Sequence, residues 1–284
     1  MSQSIKFSRL RRRASHLARV SGGVFACALF LFPVLWMLLT SVKEQRDIFT
    51  SPPTLWFVPT LQTYVSYLAF SDVSGRMFNT VVVAIGSGLL SIFAGSMAGY
   101  ALARIPLRGA AVIGTLILLS RGVPPIALAV PMFLVARRLD IADQHITLIL
   151  AYCTFLIPYV MWLMRSFFLS LPRELEEAAT IDGCSRFGTF FRIIVPISLP
   201  SLISTFIFSM ILAWEELLFA LVLTSRNAVT IPVAVASIAS DSINGTNWGA
   251  LCAVGTITVV PVVVFALVVQ KWLVKGLTDG ATKG

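Results

Sequence analysis

Six runs of apolar residues divide this chain, and their length constrains its fold more than any other feature. Each is long enough to cross the hydrocarbon core of a bilayer as a helix. Of the 284 residues, 57% are hydrophobic and only 12% are charged, about half the charge of a soluble domain. The sequence therefore predicts an all-α polytopic membrane protein with six transmembrane helices in one membrane unit, residues 21–275. The runs lie at about 22–41, 78–102, 109–136, 148–164, 199–224 and 248–270.

The basic residues predict the orientation of these spans. With the N-terminus inside, 15 Lys and Arg residues lie on the inner side and six lie in the three outer loops. Inner loops of membrane proteins carry such an excess, so the tails 1–20 and 276–284 are both predicted to be cytoplasmic. This asymmetry also accounts for the net charge of +9 without a nucleic acid partner.

The polar segment 171–198, between spans four and five, reads as helix, turn and helix. Pro172 suits a first helical turn, and Gly183 favours the left-handed residue that ends a helix. Ser185 is predicted to cap a second helix, which Pro196 is predicted to stop. Two short helices joined by a glycine between two spans are predicted to protrude from the membrane, and we call this segment, residues 171–198, the knob. The alternative is an ordinary solvated helical hairpin between two membrane helices. A DNA-binding helix-turn-helix is disfavoured, because both ends of the segment lead directly into membrane spans.

The knob also carries a recognisable pattern: E-A-A, three residues, G, nine residues, then I-x-L-P with Val195 at the Leu position. This pattern resembles the cytoplasmic coupling loop of bacterial ABC importer permeases. The resemblance implies that the knob couples the membrane helices to an ATPase. The residues to which it assigns that role are Glu177, Ala178, Ala179, Asp182, Gly183, Ile193 and Pro196.

Three other stretches resemble the second permease subunit of maltose-type, or carbohydrate, ABC importers. They are PPIALAVP at 124–131, WEELLFALVLTS at 214–225 and the ending GLTDGATKG at 276–284. Glu215 stands where that family commonly has Asn. The resemblance implies the type I ABC importer permease fold, the bacterial inner membrane, and a sugar, polyol or related small polar solute as cargo.

The resemblance also implies partners. They are a homologous second permease in a heterodimer, two copies of a cytoplasmic ATPase, and an extracytoplasmic solute-binding protein that contacts the loop between spans five and six. Membrane lipid surrounds the chain. ATP and Mg would bind the ATPase subunits, and no cofactor is expected on this chain, which has no G-x-x-x-x-G-K nucleotide motif. Its four cysteines and two histidines suggest no metal site, and no catalytic constellation is visible, so the chain is not expected to be an enzyme.

Three ionisable residues lie well within the predicted spans: Arg121, Glu215 and Glu216. Each should face protein or water, because a charge that faces lipid is costly. They either form a structural ion pair or hydrogen-bond network that holds spans three and five together, or line the translocation path. Trp214, Glu215 and Arg121 are therefore candidates for contact with the solute, and Asn79 is a weaker one for which a helix-end hydrogen bond is the simpler interpretation. An ion-coupled transporter or channel that acts alone is the alternative function.

The topology is testable with reporter fusions. A reporter placed within 1–20 and another placed after residue 283 should both be cytoplasmic, whereas one placed within 226–247 should be external. Activity of a periplasm-specific and a cytoplasm-specific reporter at each site provides the measurement. Termini on opposite sides of the membrane would contradict the six-span arrangement.

Overall fold

The computed structural model describes residues 2–70, 72–106, 108–239 and 246–281, and these residues form helices and no strands. Residues 240–245 of the predicted outer loop and 282–284 of the predicted tail lie outside the described residues. A 3₁₀ turn occupies Ser120–Gly122 and a π-helical segment Phe190–Ile194. The helices are α1 Ser2–Ser41, α2 Gln45–Ile48, α3 Gln62–Phe70, α4 Val73–Arg104, α5 Ala110–Leu119, α6 Pro125–Arg138, α7 His145–Ser170, α8 Glu174–Ile181, α9 Arg186–Thr189, α10 Val195–Ile197, α11 Leu199–Trp214, α12 Leu218–Leu223, α13 Ile231–Ala239 and α14 Trp248–Ala281.

Four helical stretches are long and apolar enough to cross a membrane, and two bent pairs raise the number to as many as six. This agrees with the predicted fold class. The four are Arg19–Ser41, Val73–Arg104, His145–Ser170 and Trp248–Leu267, and the pairs are Ala110–Gly122 with Pro125–Arg138 and Arg186–Ile197 with Leu199–Trp214.

The structure changes two of the predicted spans, three and five. Span three is bent by 88° between α5 and α6, where Pro124 and Pro125 interrupt the helical hydrogen bonds. Span five breaks between α11 and α12. The predicted tail is helical, because α1 extends back through residues 2–20, and the predicted outer loop 225–247 contains α13.

Close packing of α4 on α7 organises residues 71–237. The helix α4 begins where the Asp72 carboxylate accepts a hydrogen bond from the Gly75 N–H at 3.2 Å. Along α4, glycines face α7 so closely that a side chain would collide. A Cβ at Gly95 would lie 2.7 Å from Val160, and one at Gly99 would lie 2.8 Å from the Met161 carbonyl oxygen. Small residues let membrane helices approach in this way.

Two clusters of buried side chains pack along this helix pair. One holds aromatic residues of α7 and α12, with the rings of Phe155 and Phe219 stacked at 6.2 Å between centroids. The other lies at the knob end of the helices, where the ring of Tyr100 is 4.9 Å from that of Phe190. This second cluster links α4, α7 and the π-helical segment, so it forms the base on which the knob stands.

Residues 1–70 and 238–257 form a separate compact unit. Within it, Lys43 follows the end of α1 and its side chain is buried. Its Nζ donates a hydrogen bond to the carbonyl oxygen of Thr54 at 2.7 Å and lies over the rings of Trp36 and Phe57. Cation–π contacts of this kind compensate for the lost hydration of a buried ammonium.

Candidate functional site

The knob is built on a tight reversal between α8 and α9. Gly183 adopts a φ of +81°, which only glycine adopts at low cost. The Cys184 N–H donates to the Ala179 carbonyl oxygen at 2.9 Å, and the Gly183 N–H donates to that of Thr180 at 3.0 Å. This pair of bonds is the Schellman arrangement that ends a helix. Ser185 Oγ then accepts from the Gly188 N–H at 3.1 Å, so the predicted turn and cap are both present.

The inner face of α8 is fixed to the membrane helices by one guanidinium group. Arg104, the last residue of α4, places Nε 2.7 Å from Oε1 of Glu176 on α8. Its Nη2 donates to the carbonyl oxygen of Leu171, directly after α7, at 2.8 Å. The side chains of Arg104 and Glu176 are only 6% and 20% exposed. Arg104 therefore joins three helices at one point, and Ala179, also buried, packs on the same face.

A cavity of about 190 Å³ lies beside this ion pair and separates α8 and α9 from the end of α4. Its polar lining includes Thr180, Arg186 and Thr189 as well as the pair itself. Arg104 and Glu176 are functional-site residues that the sequence motifs do not indicate. A cation at the end of a span and several glutamates on one short helix were visible, but nothing in the sequence identifies which glutamate the cation meets.

The outer face of α8 is exposed. Glu177, Ala178 and Ile181 share this face because residues three and four apart lie on one side of a helix. Ile181 is 86% exposed, and it stands beside the exposed Asp182 at the tip of the knob. In the sequence, the only indication of this exposed apolar position is an isoleucine that follows the polar and small residues of the helix.

The second half of the knob differs from the prediction. Pro196 does not stop the helix there; it occupies the first turn of α10, where its missing N–H costs no hydrogen bond. The bend of 79° follows at Ser198, between α10 and α11. Ile193 is half-buried in the π-helical segment, whereas Pro196 is exposed.

Arg121 occupies the break between α5 and α6, where it is exposed. Its guanidinium carbon lies 5.2 Å from the ring centroid of Tyr159 on α7, which is a cation–π contact. Glu215 is exposed at the end of α11. Within the described part of the chain, no ion pair joins Arg121 to Glu215, so the structure does not support the salt bridge between spans three and five.

Glu216 and Trp214 both contact other parts of this chain: Glu216 caps a helix, and Trp214 packs in the interior. The Glu216 carboxylate accepts hydrogen bonds from the N–H groups of Phe219 and Ala220 at 3.0–3.3 Å, and thereby caps α12 at the break in span five. Trp214 is 1% exposed, and its ring meets that of Phe265 edge to face at 6.1 Å. The indole is thus packed inside this chain and does not face an open path.

Asn79 is buried and binds a distant segment instead of its own helix end. Its Nδ2 donates to the carbonyl oxygens of Asn227 and Val229 at 2.9 and 3.0 Å. Its Oδ1 lies 2.7 Å from Nε2 of His145. Because Nδ2 is the amide donor, Oδ1 accepts and the histidine donates from Nε2. Asn79 therefore anchors residues 227–229 to α4 and α7.

The same segment is held by Asp143, which lies between α6 and α7 with a φ of 58°. Its carboxylate accepts hydrogen bonds from the backbone N–H groups of four successive residues, 225–228, at 2.9–3.3 Å. Partial burial raises the pKa of Asp143, but these donors outweigh that effect and hold the pKa below its ordinary value. The carboxylate is charged at neutral pH, and it fixes the chain that leads into α13.

Comparison with known proteins agrees with this architecture. The family model described as the inner membrane component of binding-protein-dependent transport systems matches residues 91–279. A probable ABC transporter permease protein of Sinorhizobium fredii is 38% identical over 92% of this chain and 94% of its own length. The sulfoquinovosyl glycerol transport system permease of Agrobacterium fabrum is 35% identical, with 89% of each chain covered. The trehalose/maltose transport system permease of Thermococcus litoralis is 33% identical over 93% of this chain and 96% of its own.

A solved structure shares the fold. The bacterial ABC transporter involved in import of the acidic polysaccharide alginate contains a chain that matches with a TM-score of 0.73 and 23% identity, covering 92% of this chain and 96% of that one.

The broken spans and the helical knob define a polytopic transport permease. The chain belongs to the inner membrane components of binding-protein-dependent transport systems, the permease subunits of ABC importers. It is accordingly a transport subunit of the inner membrane and not an enzyme.

The ion pair between Arg104 and Glu176 should be measurable by a double-mutant cycle. Glu176→Gln leaves the guanidinium without its anion, which costs about 3–5 kcal/mol for a buried pair. The double variant with Arg104→Met should recover part of this loss, with an interaction energy above about 1 kcal/mol. Thermal unfolding of the purified complex gives the energies. Glu174→Gln, on an exposed position of the same helix, is the matched control, and an equal effect of both Gln variants would contradict the pair.

The same cycle on Arg121 and Glu215 should give a different result. Since no ion pair joins them in the described residues, Arg121→Met and Glu215→Gln should act independently on the yield of assembled complex. The interaction energy calculated from the four yields should lie within about 0.5 kcal/mol of zero. The Arg104–Glu176 cycle serves as the positive control. Recovery of yield in the double variant would show that the two charges meet in the assembled protein.

Proposed function

We propose that this chain is the second permease subunit of a carbohydrate importer and forms part of the path for a sugar, polyol or related small polar solute. The relatives from Thermococcus litoralis and Agrobacterium fabrum are carbohydrate permeases by name, and they align over nearly their whole length. The observation that carries the mechanism is the two-faced knob. One face is fixed to the membrane helices, and the other is left exposed.

The exposed face is suited to docking in a groove of an ATPase subunit. Ile181 supplies an apolar side chain that solvent surrounds in this chain, and Glu177 supplies a carboxylate for basic groups of the partner. Ala178 adds no bulk between them. The other predicted coupling residues support this face: Asp182 and Gly183 shape the tip, Ala179 packs inward, and Ile193 and Pro196 lie in the helical stretch that returns to the membrane.

The anchored face converts docking into movement of the membrane helices. The guanidinium of Arg104 meets both α8 and the end of α7, so a displacement of the knob pulls on α4 and α7 together. Packed helices move as rigid bodies. In this proposal ATP and Mg bind two ATPase subunits, whose closure moves the knob. This chain itself binds no cofactor.

The orientation follows the distribution of basic residues, which places the knob and both termini in the cytoplasm. The segment held by Asn79 and Asp143 then faces outward, where its fixed backbone gives the solute-binding protein a rigid surface. A homologous second permease completes the path. Arg121 and Glu215 are exposed at the breaks in spans three and five, and we propose that their side chains face the translocation path. The alternative of an ion-coupled transporter that acts alone gains no support from the comparisons.

The docking face is tested by Ile181→Asp. A charge at the centre of an apolar contact should weaken ATPase binding by about 2 kcal/mol, or roughly 30-fold in affinity. We expect the permeases to insert and pair, the ATPase subunits to be lost on purification, and ATP-driven sugar uptake to fall in proportion. Co-purification and uptake into vesicles provide the measurements.

The matched control is Val58→Asp, which alters a valine that is 80% exposed in the chain after α2. This variant should retain the ATPase subunits. If Ile181→Asp retains them equally, the outer face of α8 is not the docking surface.

A further inference from the structure

A pocket of about 130 Å³ opens between α5 and α7, and none of its lining residues belongs to the knob. From α5 its lining includes Thr115 and Leu118, and from α7 it includes Met161, Trp162 and Arg165. The pocket combines one cation and a threonine hydroxyl with apolar side chains.

Arg165 is the reason to expect a ligand there. The residue is half-buried, and its Nε is fully buried without a hydrogen-bond partner in the described part of the chain. Arginine carries a positive charge in proteins, and a guanidinium that is partly withdrawn from water is stabilised by an anion that compensates for its lost hydration. Within the described residues, no carboxylate forms an ion pair with it. The chain therefore supplies the positive charge and leaves the negative one to another molecule.

The backbone at Arg165 is held in place by α4. A Cβ on Gly99 would lie 3.0 Å from the Arg165 nitrogen, so the two helices are in contact at this level. Thr115, across the pocket on α5, donates its hydroxyl hydrogen to the Ala111 carbonyl oxygen and keeps its lone pairs available. The site is thus formed by packed helices and not by a loop.

Along α7, the lining changes from a charged to an apolar side chain with distance from the knob end of the helix. Arg165 is five residues before the end of α7, about 8 Å along the helix axis. Trp162, which is exposed beside it, is an aromatic type common at the level of lipid headgroups. Met161 lies one turn before Arg165 on α7, farther from the knob, and Leu118 is near the C-terminal end of α5, the end away from the short turn that joins α4 to α5. This order of charge, indole and aliphatic side chains matches the order of phosphate, glycerol and acyl chain in a phospholipid.

We infer that this pocket binds the phosphate of an anionic phospholipid from the leaflet on the knob side. The Arg165 guanidinium pairs with the phosphate, and Leu118 and Met161 contact the first methylenes of an acyl chain. Basic pockets between membrane helices bind anionic headgroups in this way. The site lies where α5, the first half of the bent span three, meets α7. A bound lipid therefore holds α5 against the α4–α7 pair. The inference does not depend on the identity of the transported solute.

The test uses the complete importer complex, purified and supplied with phosphatidylglycerol or phosphatidylcholine. Native mass spectrometry counts the phosphatidylglycerol molecules retained, and the melting temperature is recorded in each lipid. The wild-type complex should retain phosphatidylglycerol and melt higher in it than in phosphatidylcholine. Arg165→Gln should lower the retained lipid about tenfold, the loss expected for one charge-assisted contact. Arg165→Lys should restore part of it.

Two variants separate the pocket from general charge effects. Thr115→Phe fills the space and leaves Arg165 in place, so it should also lose the lipid even if Arg165→Gln folds poorly. Arg108→Gln removes an equal charge from an exposed position between α4 and α5 and should retain it. Equal losses in the Arg108 and Arg165 variants would overturn the site, because they would show only attraction to a basic surface.

Two other outcomes would also overturn the inference. If inorganic phosphate at matched ionic strength raises the melting temperature as much as phosphatidylglycerol does, without lipid, the pocket is a site for a free anion. A wild-type complex that retains no phosphatidylglycerol, while Arg165→Gln releases the second permease, would show that a protein carboxylate covers the pocket.

Discussion

The close approach of α4 and α7 is the constraint on which the rest of the knob region depends. Where Gly95 and Gly99 face α7, there is no room for even a methyl group. This contact brings the ends of the two helices together, so that a single guanidinium on Arg104 reaches the carbonyl oxygen after α7 and the carboxylate of Glu176. With larger residues at the glycines the helices would separate, and Arg104 would no longer reach both partners.

The two broken spans show how a membrane protein tolerates interrupted helices. A break frees backbone groups that lipid does not satisfy, so each must find a partner within the protein. At the break in span five, the Glu216 carboxylate takes two of the freed N–H groups. At the break in span three, Pro124 and Pro125 contribute no N–H at all, so fewer donors are left unpaired. Different chemistry thus solves the same problem, and a charged residue lies at each break: Arg121 in span three and Glu215 in span five.

The features that sequence predicts here are local ones. The turn at Gly183, the cap at Ser185 and the positions of the apolar runs depend on residues close together in the chain, and the structure has them. The features that sequence did not predict join distant residues. Arg104 with Glu176 and Asn79 with residues 227–229 are pairs that only the folded chain selects. The bend in span three was missed for a related reason, because apolar length alone does not distinguish a straight helix from a bent pair.

The exposed charges at the breaks carry an implication for assembly. Arg121 lies on the surface of this chain within the candidate span Ala110–Gly122, and Glu215, also exposed, directly follows the candidate span Leu199–Trp214. A charge at that depth is stable only against protein or water, and lipid on that surface would cost several kcal/mol for each group. Tyr159 offers Arg121 a ring face, which compensates for only part of its hydration. The surface that bears these residues must therefore be covered by another chain or by a water-filled path. The second permease proposed above would supply both, and in that proposal these two charges favour formation of the dimer.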